Sequence, residues 1–156
     1  MSKIEQRLIE LGSPLPEVAK PVAAYVPSVV SGNLVFTSGQ LPFKDGALIA
    51  AGKVGESAGL IDPAEAKLLA RQSALNALAA IKMVIGDLDR VTRIVKVVGF
   101  VASVPEFTGQ PGVMNGASEF LVEVFGDNGV HARSAVGVPS LPLDSSVEVE
   151  LIAEFE

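Results

Sequence analysis

The clearest alternation of hydrophobic and polar positions lies at the end of the chain. From position 147 to 155 every second residue is apolar, and most residues between them are glutamates. The two sets are Val147, Val149, Leu151, Ala153 and Phe155 on one side, and Glu148, Glu150, Ile152 and Glu154 on the other. Side chains on a strand point alternately to opposite faces, so this period of two predicts a strand with one buried face and one face that carries carboxylates.

A shorter predicted strand, residues 134–138, comes before it and directly follows Arg133. The segment between the two strands contains proline, serine and aspartate, which are typical of turns. If the two strands pair, the guanidinium of Arg133 lies close to Glu148, to Glu150 or to both on the sheet. That grouping is the first candidate for chemistry in this sequence.

Two longer stretches repeat apolar residues at helical spacing, and a glycine follows each. Residues 62–85 are predicted to form the longest helix, with Asp62 as its N-cap and Pro63 at its first position. Residues 113–125 are predicted to form a second helix. A short helix over residues 2–11, with a possible capping box, is predicted at the beginning of the chain.

The remaining apolar segments predict strands. Residues 22–30 form a weak, irregular one, 34–38 a better one that makes a hairpin with it, and 47–50 a short edge strand. Residues 93–102 are apolar on both faces apart from a lysine and a glycine. One helix layer covers only one face of such a strand. We therefore expect a further layer or another subunit to cover the other face, although no pattern in the sequence fixes the number of subunits.

This order of elements predicts an α+β fold, with both main helices on one face of a sheet of roughly four to six strands. The length of 156 residues is that of one domain. We interpret residues 1–156 as a single domain, in which a helix and linker over residues 1–20 are added to a core over residues 21–156.

Composition excludes several classes of function. The formal charge of −6 disfavours nucleic acid and anionic membranes as partners. No cysteine is present, which excludes disulfides, zinc–thiolate sites and thiol nucleophiles, and a single histidine excludes a multi-histidine metal site. No acidic loop has a magnesium or calcium signature. No apolar run approaches the roughly 20 residues that span a bilayer, and the N-terminus is too polar for a signal peptide, so we expect a cytoplasmic protein.

Four motifs resemble a known family: SGNLVFTSGQLP at 31–42, ARQSALNAL at 70–78, VKVVGFVA at 95–102, and ARSAVGV…LP…VEVELIA from 132 onwards. They are similar to the Rid/YjgF family of reactive-intermediate imine deaminases, also called L-PSP endoribonucleases. The resemblance covers residues 24–154. The added N-terminal helix and the longer connection between Asn115 and Arg133 indicate a branch distinct from the best-known deaminases.

The resemblance implies a chorismate-mutase-like fold, a homotrimer around a central barrel, and ligand clefts between subunits. It implies hydrolysis of 2-aminoacrylate and related enamine or imine acids to 2-keto acids and ammonia. No cofactor is expected, because an imine is already electrophilic, and no metal is expected either. The implied partners are other copies of this chain and a small carboxylate-bearing ligand.

The resemblance assigns the substrate carboxylate to Arg133 and the attacking water to Glu148. A guanidinium can hold a carboxylate through two parallel hydrogen bonds, and a carboxylate can orient or deprotonate water. Glu150 competes with Glu148 for that role. The plainer alternatives are a salt bridge for Arg133 and solvated strand charges for the two glutamates.

Further substrate-binding candidates are Tyr25, Ser38, Gly39, Asn115 and Ala135. Tyr25 would close the cleft, and its alternative is a buried tyrosine with a bonded hydroxyl. Ser38 and Gly39 would line the cleft, or simply end a strand. Many deaminases of the family carry cysteine where this chain has Ala135, and that difference concerns substrate identity more than fold.

His131, two residues before Arg133, is either a residue at the cleft rim or a surface loop histidine. No serine and aspartate accompany it to form a catalytic triad. Three functions stay open: imine deaminase, non-catalytic binding module for a small carboxylate, and, against the acidic charge, endoribonuclease.

Overall fold

Five strands form the main sheet of the protein, which we describe from a computed structural model over residues 2–18 and 23–156. The seven strands are β1 (Ser28–Ser31), β2 (Leu34–Thr37), β3 (Phe43–Lys44), β4 (Ala47–Leu48), β5 (Val91–Ala102), β6 (Ala132–Val138) and β7 (Val147–Phe155). The main sheet has the order β1-β2-β7-β5-β6, and β3 and β4 form a separate hairpin. Among the strands of the described residues, β5 and β6 alone pair in parallel. The predicted α+β fold is confirmed.

Within the part of the chain that the structure describes, three α-helices accompany the sheet: α1 (Lys3–Glu10), α2 (Pro63–Ile85) and α3 (Gln110–Phe125). The apolar side of β7 predicted from its alternation is buried, apart from its last residue. It packs with α2 and α3 in one core, whose largest fully buried side chains include Phe120, Leu78, Ile81 and Met114. Both main helices therefore cover the same face of the sheet, as the sequence predicted.

The N-terminal helix is fixed to the main fold by polar and apolar contacts. The predicted capping box between Ser2 and Glu5 is present. Leu8 is fully buried, and the backbone N–H groups of Lys3 and Ile4 donate to the Asp89 carboxylate at 2.9 and 2.8 Å. An aspartate at a helix N-terminus satisfies free N–H groups and interacts favourably with the helix dipole.

The second face of the sheet carries no helix of the described residues. Three apolar side chains on this open face, Val98, Phe100 and Ile152, are only half-buried. Glu148 pairs with Phe100 and Glu150 with Val98, which places both glutamates on the same face. The sequence predicted that one face of the strand at residues 93–102 needs a further covering layer, and this open face is the one concerned.

Several predicted boundaries are wrong. The first strand begins at Ser28 instead of residue 22, which lies outside the described residues, because Pro27 lacks the N–H that strand pairing needs. The predicted edge strand at 47–50 pairs with β3 in the separate hairpin. Helix α3 begins three residues early, at Gln110, and β6 begins at Ala132, so Arg133 lies inside the strand.

Helix α2 has the length and composition of a membrane-spanning helix, but 67% of its most apolar 18-residue window is buried inside the fold. Its N-cap is the predicted one, with the Asp62 carboxylate accepting from the N–H of Ala64 at 2.8 Å. The apolar length of α2 is accounted for by packing under the sheet and against α3.

Two glycines of α3 give a matched test of this packing. A methyl group on Gly116 would collide with the backbone carbonyl of Lys67 in α2, whereas one on Gly112 would meet nothing within 4 Å. We expect Gly116→Ala to destabilise the fold by roughly 1–3 kcal/mol through overpacking. Gly112→Ala should be neutral or stabilising by up to about 1 kcal/mol through helix propensity. Thermal midpoints at one protein concentration check this, and a Gly116→Ala chain as stable as the parent would contradict it.

Candidate active site

The predicted pairing of the two C-terminal strands is wrong, because β5 lies between β6 and β7. Arg133 stands opposite Val97, which stands opposite Leu151, whereas Glu148 stands opposite Phe100. Arg133 and Glu148 are thus two strands apart and offset by three residues along the strands. These spacings put their backbone positions roughly 14 Å apart. Val97 faces the helices and Glu148 the open face, so the two side chains of one chain also lie on opposite faces.

Arg133 lies in an open groove between α3 and the edge strand β6. The groove has a volume of about 580 Å³ and is lined by Asn115, Ser118, Glu119, Val122, Glu123, Val130, His131 and Arg133. Nη1 of Arg133 donates to Asn115 Oδ1 at 2.8 Å and to Ser118 Oγ at 3.2 Å. Both partners are neutral, so they orient the guanidinium without cancelling its charge.

The acidic residues of the Arg133 groove are bound elsewhere. Glu119 pairs with Lys67 at 2.9 Å, and Glu123 pairs with Arg71 at 2.8 Å. Among the described residues, no carboxylate lies within salt-bridge distance of Arg133. The plain alternative of a structural salt bridge within the chain is therefore not observed, and the groove offers a half-buried cation to an anionic ligand.

His131 belongs to the groove wall and is half-buried. Its Nε2 lies 2.8 Å from Ser118 Oγ, and its Nδ1 lies 2.6 Å from the carbonyl oxygen of Gly129. Ser118 was not a sequence candidate. Its position three residues after Asn115 in the predicted helix was a usable signal, because residues at this spacing share a helix face.

Glu148 is half-buried on the open face, and its carboxylate lies over Gly39. A side chain at position 39 would collide with the Glu148 carboxylate, so glycine leaves room for that carboxylate in the position observed. Burial, and secondly the charge of Glu150, raise the pKa of Glu148 above its ordinary value of 4.5. No lysine or arginine of residues 2–18 and 23–156 pairs with it. A carboxylate with a raised pKa can exchange protons with a bound ligand or water.

Tyr25 lies at the opposite edge of the sheet from Arg133, just before β1. It is 54% exposed, which rules out the buried-tyrosine alternative within this chain. A hollow of about 310 Å³ is lined by Tyr25, Val26, Ser28, Val29, Phe36, Thr37 and Ser38. The Ser38 hydroxyl donates to the carbonyl of Val26 at 2.7 Å and so fixes the segment next to Tyr25.

Ala135 lines neither cavity. It stands beside Gly99 of β5 and packs against the hydrophobic core, two residues along β6 from Arg133. Its methyl group packs against the core within one chain. Its assignment as a substrate-binding residue stays a prediction.

The predicted site residues thus form two groups within one chain. Arg133 and Asn115 lie at the β6 edge, whereas the other four lie toward the opposite edge of the sheet. Tyr25 precedes β1, Ser38 and Gly39 follow β2, and Glu148 is on β7. The first group presents a guanidinium held by neutral partners, and the second presents a half-buried carboxyl group next to an exposed tyrosine. No group of three or more metal-ligating residues occurs in the part of the chain that the structure describes.

Comparisons with known proteins give these two groups a family context. Residues 5–155 match the model of the family described as "YjgF/chorismate_mutase-like, putative endoribonuclease". Protein TCP17 of Trypanosoma cruzi is 42% identical over 154 residues, which cover 98% of this chain and 94% of TCP17. The crystal structure of Atu1372 from Agrobacterium tumefaciens, a protein of unknown function, has a TM-score of 0.90 at 45% identity, over 98% of this chain and 92% of that one.

The YjgF gene product of E. coli is less similar. Its structure superposes with a TM-score of 0.63 at 31% identity, over 88% of this chain and 93% of that one. This chain therefore superposes more closely on Atu1372 than on the E. coli protein. The match over 5–155 and the shared fold show that the chain belongs to the YjgF/chorismate-mutase-like family.

Proposed function

We propose that this protein hydrolyses small 2-imino acids, such as the imine form of 2-aminoacrylate, to 2-keto acids and ammonia. The observation that carries the proposal is the Arg133 guanidinium, held by Asn115 and Ser118 in an open groove with no carboxylate partner among the described residues. A 2-imino acid has a carboxylate next to its reactive carbon. A guanidinium fixes both the position and the orientation of that carboxylate.

The proposed site is completed by a second copy of the chain. Arg133 and Glu148 of one chain lie on opposite faces of the sheet, so they cannot contact one small ligand together. If the β6 edge of one copy meets the Tyr25 side of the next, the two groups face each other. Such a head-to-tail contact closes into a ring, and the homotrimer implied by the sequence resemblance is a ring of this kind. Assembly would also cover the half-buried apolar side chains of the open face.

The chemistry needs only water and proton transfers. The enamine first gains a proton at its terminal carbon and becomes the imine. Water then adds its oxygen to the imine carbon while Glu148 accepts a proton from it, and the C=N electron pair moves to nitrogen, which is protonated. The hydroxyl proton of this intermediate passes to the amino group, the C–N bond breaks, and ammonia leaves with the bonding pair. A lone pair on the former hydroxyl oxygen then forms the C=O bond of the keto acid. No cofactor enters these steps.

A second candidate function is a non-catalytic module that binds a small carboxylate in the same cleft. The structure of TdcF from E. coli, 25% identical with a TM-score of 0.63, contains bound serine. Ala135, in place of the cysteine of many deaminases, also fits this alternative. Calorimetry with serine or 2-ketobutyrate separates the two candidates, since a binding module gives heat of binding together with no turnover.

Nucleic acid and membranes are not expected partners, because the chain carries 18 acidic against 12 basic residues. Endoribonuclease activity therefore ranks last, and a salt-dependent RNA affinity of micromolar or better would reverse that order. We expect the protein to act in the cytoplasm, where enzymes that use pyridoxal phosphate release reactive enamines.

The direct test follows clearance of 2-aminoacrylate that a dehydratase generates in the same assay. We expect Arg133→Ala to lower kcat/KM about 100-fold, because it removes a bidentate, charge-assisted contact. Arg133→Lys should be intermediate, since it keeps the charge and loses the fork. Arg93→Ala, at an exposed arginine on the neighbouring strand, is the matched control and should behave like the parent. Equal clearance by Arg133→Ala and the parent would reject the assigned role.

A further inference from the structure

Three hydrogen bonds in series connect the Arg133 guanidinium to the backbone of the turn after α3. Nη1 of Arg133 donates to Ser118 Oγ at 3.2 Å, Ser118 Oγ lies 2.8 Å from His131 Nε2, and His131 Nδ1 lies 2.6 Å from the Gly129 carbonyl oxygen. We refer to these residues as the Ser118–His131 relay. Neither Ser118 nor His131 is needed for the proton transfers described above.

For a neutral imidazole, the chemistry of the four groups fixes the direction of this relay. A carbonyl oxygen can only accept, so Nδ1 of His131 must carry a proton and donate to Gly129. Ser118 Oγ already accepts from Arg133, and its own hydroxyl proton is free to donate to Nε2. All donors and acceptors are satisfied if the imidazole is neutral with its proton on Nδ1.

The far end of the relay is fixed by close packing. Gly129 is buried, and a side chain there would collide with the carbonyl of Leu121 in α3. The same helix supplies Asn115 and Ser118, one turn apart. The guanidinium of Arg133 is therefore held by two side chains of α3, Asn115 and Ser118. The Ser118 hydroxyl is oriented in turn by His131, whose Nδ1 is bound to the closely packed carbonyl of Gly129.

We propose that His131 and Ser118 are positioning residues, which orient the guanidinium of Arg133 for a carboxylate ligand. This role depends on one part of the proposed function, namely that a carboxylate binds in the Arg133 groove. An arginine side chain loses much rotamer freedom when it binds a ligand, and one that is already held loses less. His131 would act through Ser118 and Arg133, without contacting the reacting atoms.

The tautomer of His131 gives a test that is independent of any activity. Long-range proton–nitrogen NMR of the parent, at mildly alkaline pH, should show the neutral ring with its proton on Nδ1. In Ser118→Ala, Nε2 loses its donor, and its nitrogen shift should move while Nδ1 stays protonated. A neutral ring with its proton on Nε2 in the parent would overturn the relay.

Two variants of His131 test the effect on binding. The side-chain amide of glutamine at position 131 can occupy the place of Nε2 and reach Ser118. The shorter asparagine can occupy only the place of Nδ1, next to the Gly129 carbonyl. We expect His131→Asn and Ser118→Ala to weaken binding of 2-ketobutyrate about fivefold, and His131→Gln to recover most of it. In an Arg133→Lys background, which lacks Nη1, His131→Asn should add no further loss, because the effects of residues in one network do not add.

The outcomes separate the two proposals. Equal losses for the glutamine and asparagine variants, or an undiminished loss in the Arg133→Lys background, would show that His131 does not act through Arg133. Absence of any carboxylate binding to the parent would reject the proposed function and this role in binding, whatever the tautomer. Binding without turnover would leave the relay standing and favour the binding module.

Discussion

A mixture of Arg133→Ala and Glu148→Gln chains, each nearly inactive alone, is expected to regain about a quarter of the parent activity after subunit exchange. If each cleft takes Arg133 from one subunit and Glu148 from the next, random mixing restores both residues in one cleft of four. The physical basis is the sheet order, which places the two side chains of one chain on opposite faces and two strands apart.

A second mixture distinguishes a shared cleft from a site within one chain. Parent chains mixed with equal amounts of the double variant should show about a quarter of the parent activity if the cleft is shared, and about half if both residues act in one chain. Mass spectrometry of differently tagged subunits confirms exchange. Exchanged oligomers of the two single variants that stay inactive would contradict the shared cleft.

Replacement of Glu148 by glutamine is expected to lower kcat by roughly 10²–10⁴-fold, the usual contribution of a general base. Affinity for a carboxylate ligand should change little, because Arg133 holds that group. Measuring kcat and the calorimetric affinity on the same samples checks that kcat falls while ligand affinity is kept. Glu150→Gln is the matched control, at the next residue on the same face, and should keep its turnover at neutral pH. A larger loss in Glu150→Gln would reverse the two assignments.

The pH profile of these variants follows from the raised pKa of Glu148. Glu148 must be ionised to accept a proton, so kcat should rise with pH through a value above 4.5. In Glu150→Gln this rise should move to lower pH, because one charge that raises the pKa of Glu148 is gone. The move should be partial, since burial is the larger cause and remains.

The same shift in pKa sets the sign of an effect on stability. Between the unfolded and folded pKa values of Glu148 the folded chain binds more protons, so the free energy of unfolding falls as pH rises through this window. Above the window the buried charge opposes folding, and glutamine carries no such charge. We expect Glu148→Gln to have a higher thermal midpoint than the parent at neutral pH, and this advantage to disappear below pH 4.5.

Local patterns in the sequence were sufficient for most elements of the fold. The period of two in β7, the N-cap and proline at the beginning of α2, and the capping box of α1 all predicted features that the structure contains. These signals depend on the sterics and hydrogen bonding of a few consecutive residues. Less regular segments were predicted less well, as the late beginning of β1 after Pro27 shows.

The pairing of strands was not a local property, and here the sequence interpretation was wrong. Short turns favour pairing between consecutive strands, which led to the expectation that Arg133 and Glu148 are neighbours. The order strand–helix–strand from β5 through α3 to β6 was an overlooked signal, because parallel strands need a long crossover. Core packing of α3 stabilises that alternative and inserts β5 between β6 and β7.

By itself, the sequence determined the α+β class, the main helices, the buried side of β7 and the residues that resemble a family motif. Only the tertiary structure decided which of those residues lie together, that Ser118 is hydrogen-bonded to both Arg133 and His131, and that the Glu148 carboxylate lies over Gly39. The physical reason is range: periodicity and caps act over a few residues, whereas a site depends on contacts between segments far apart in the chain.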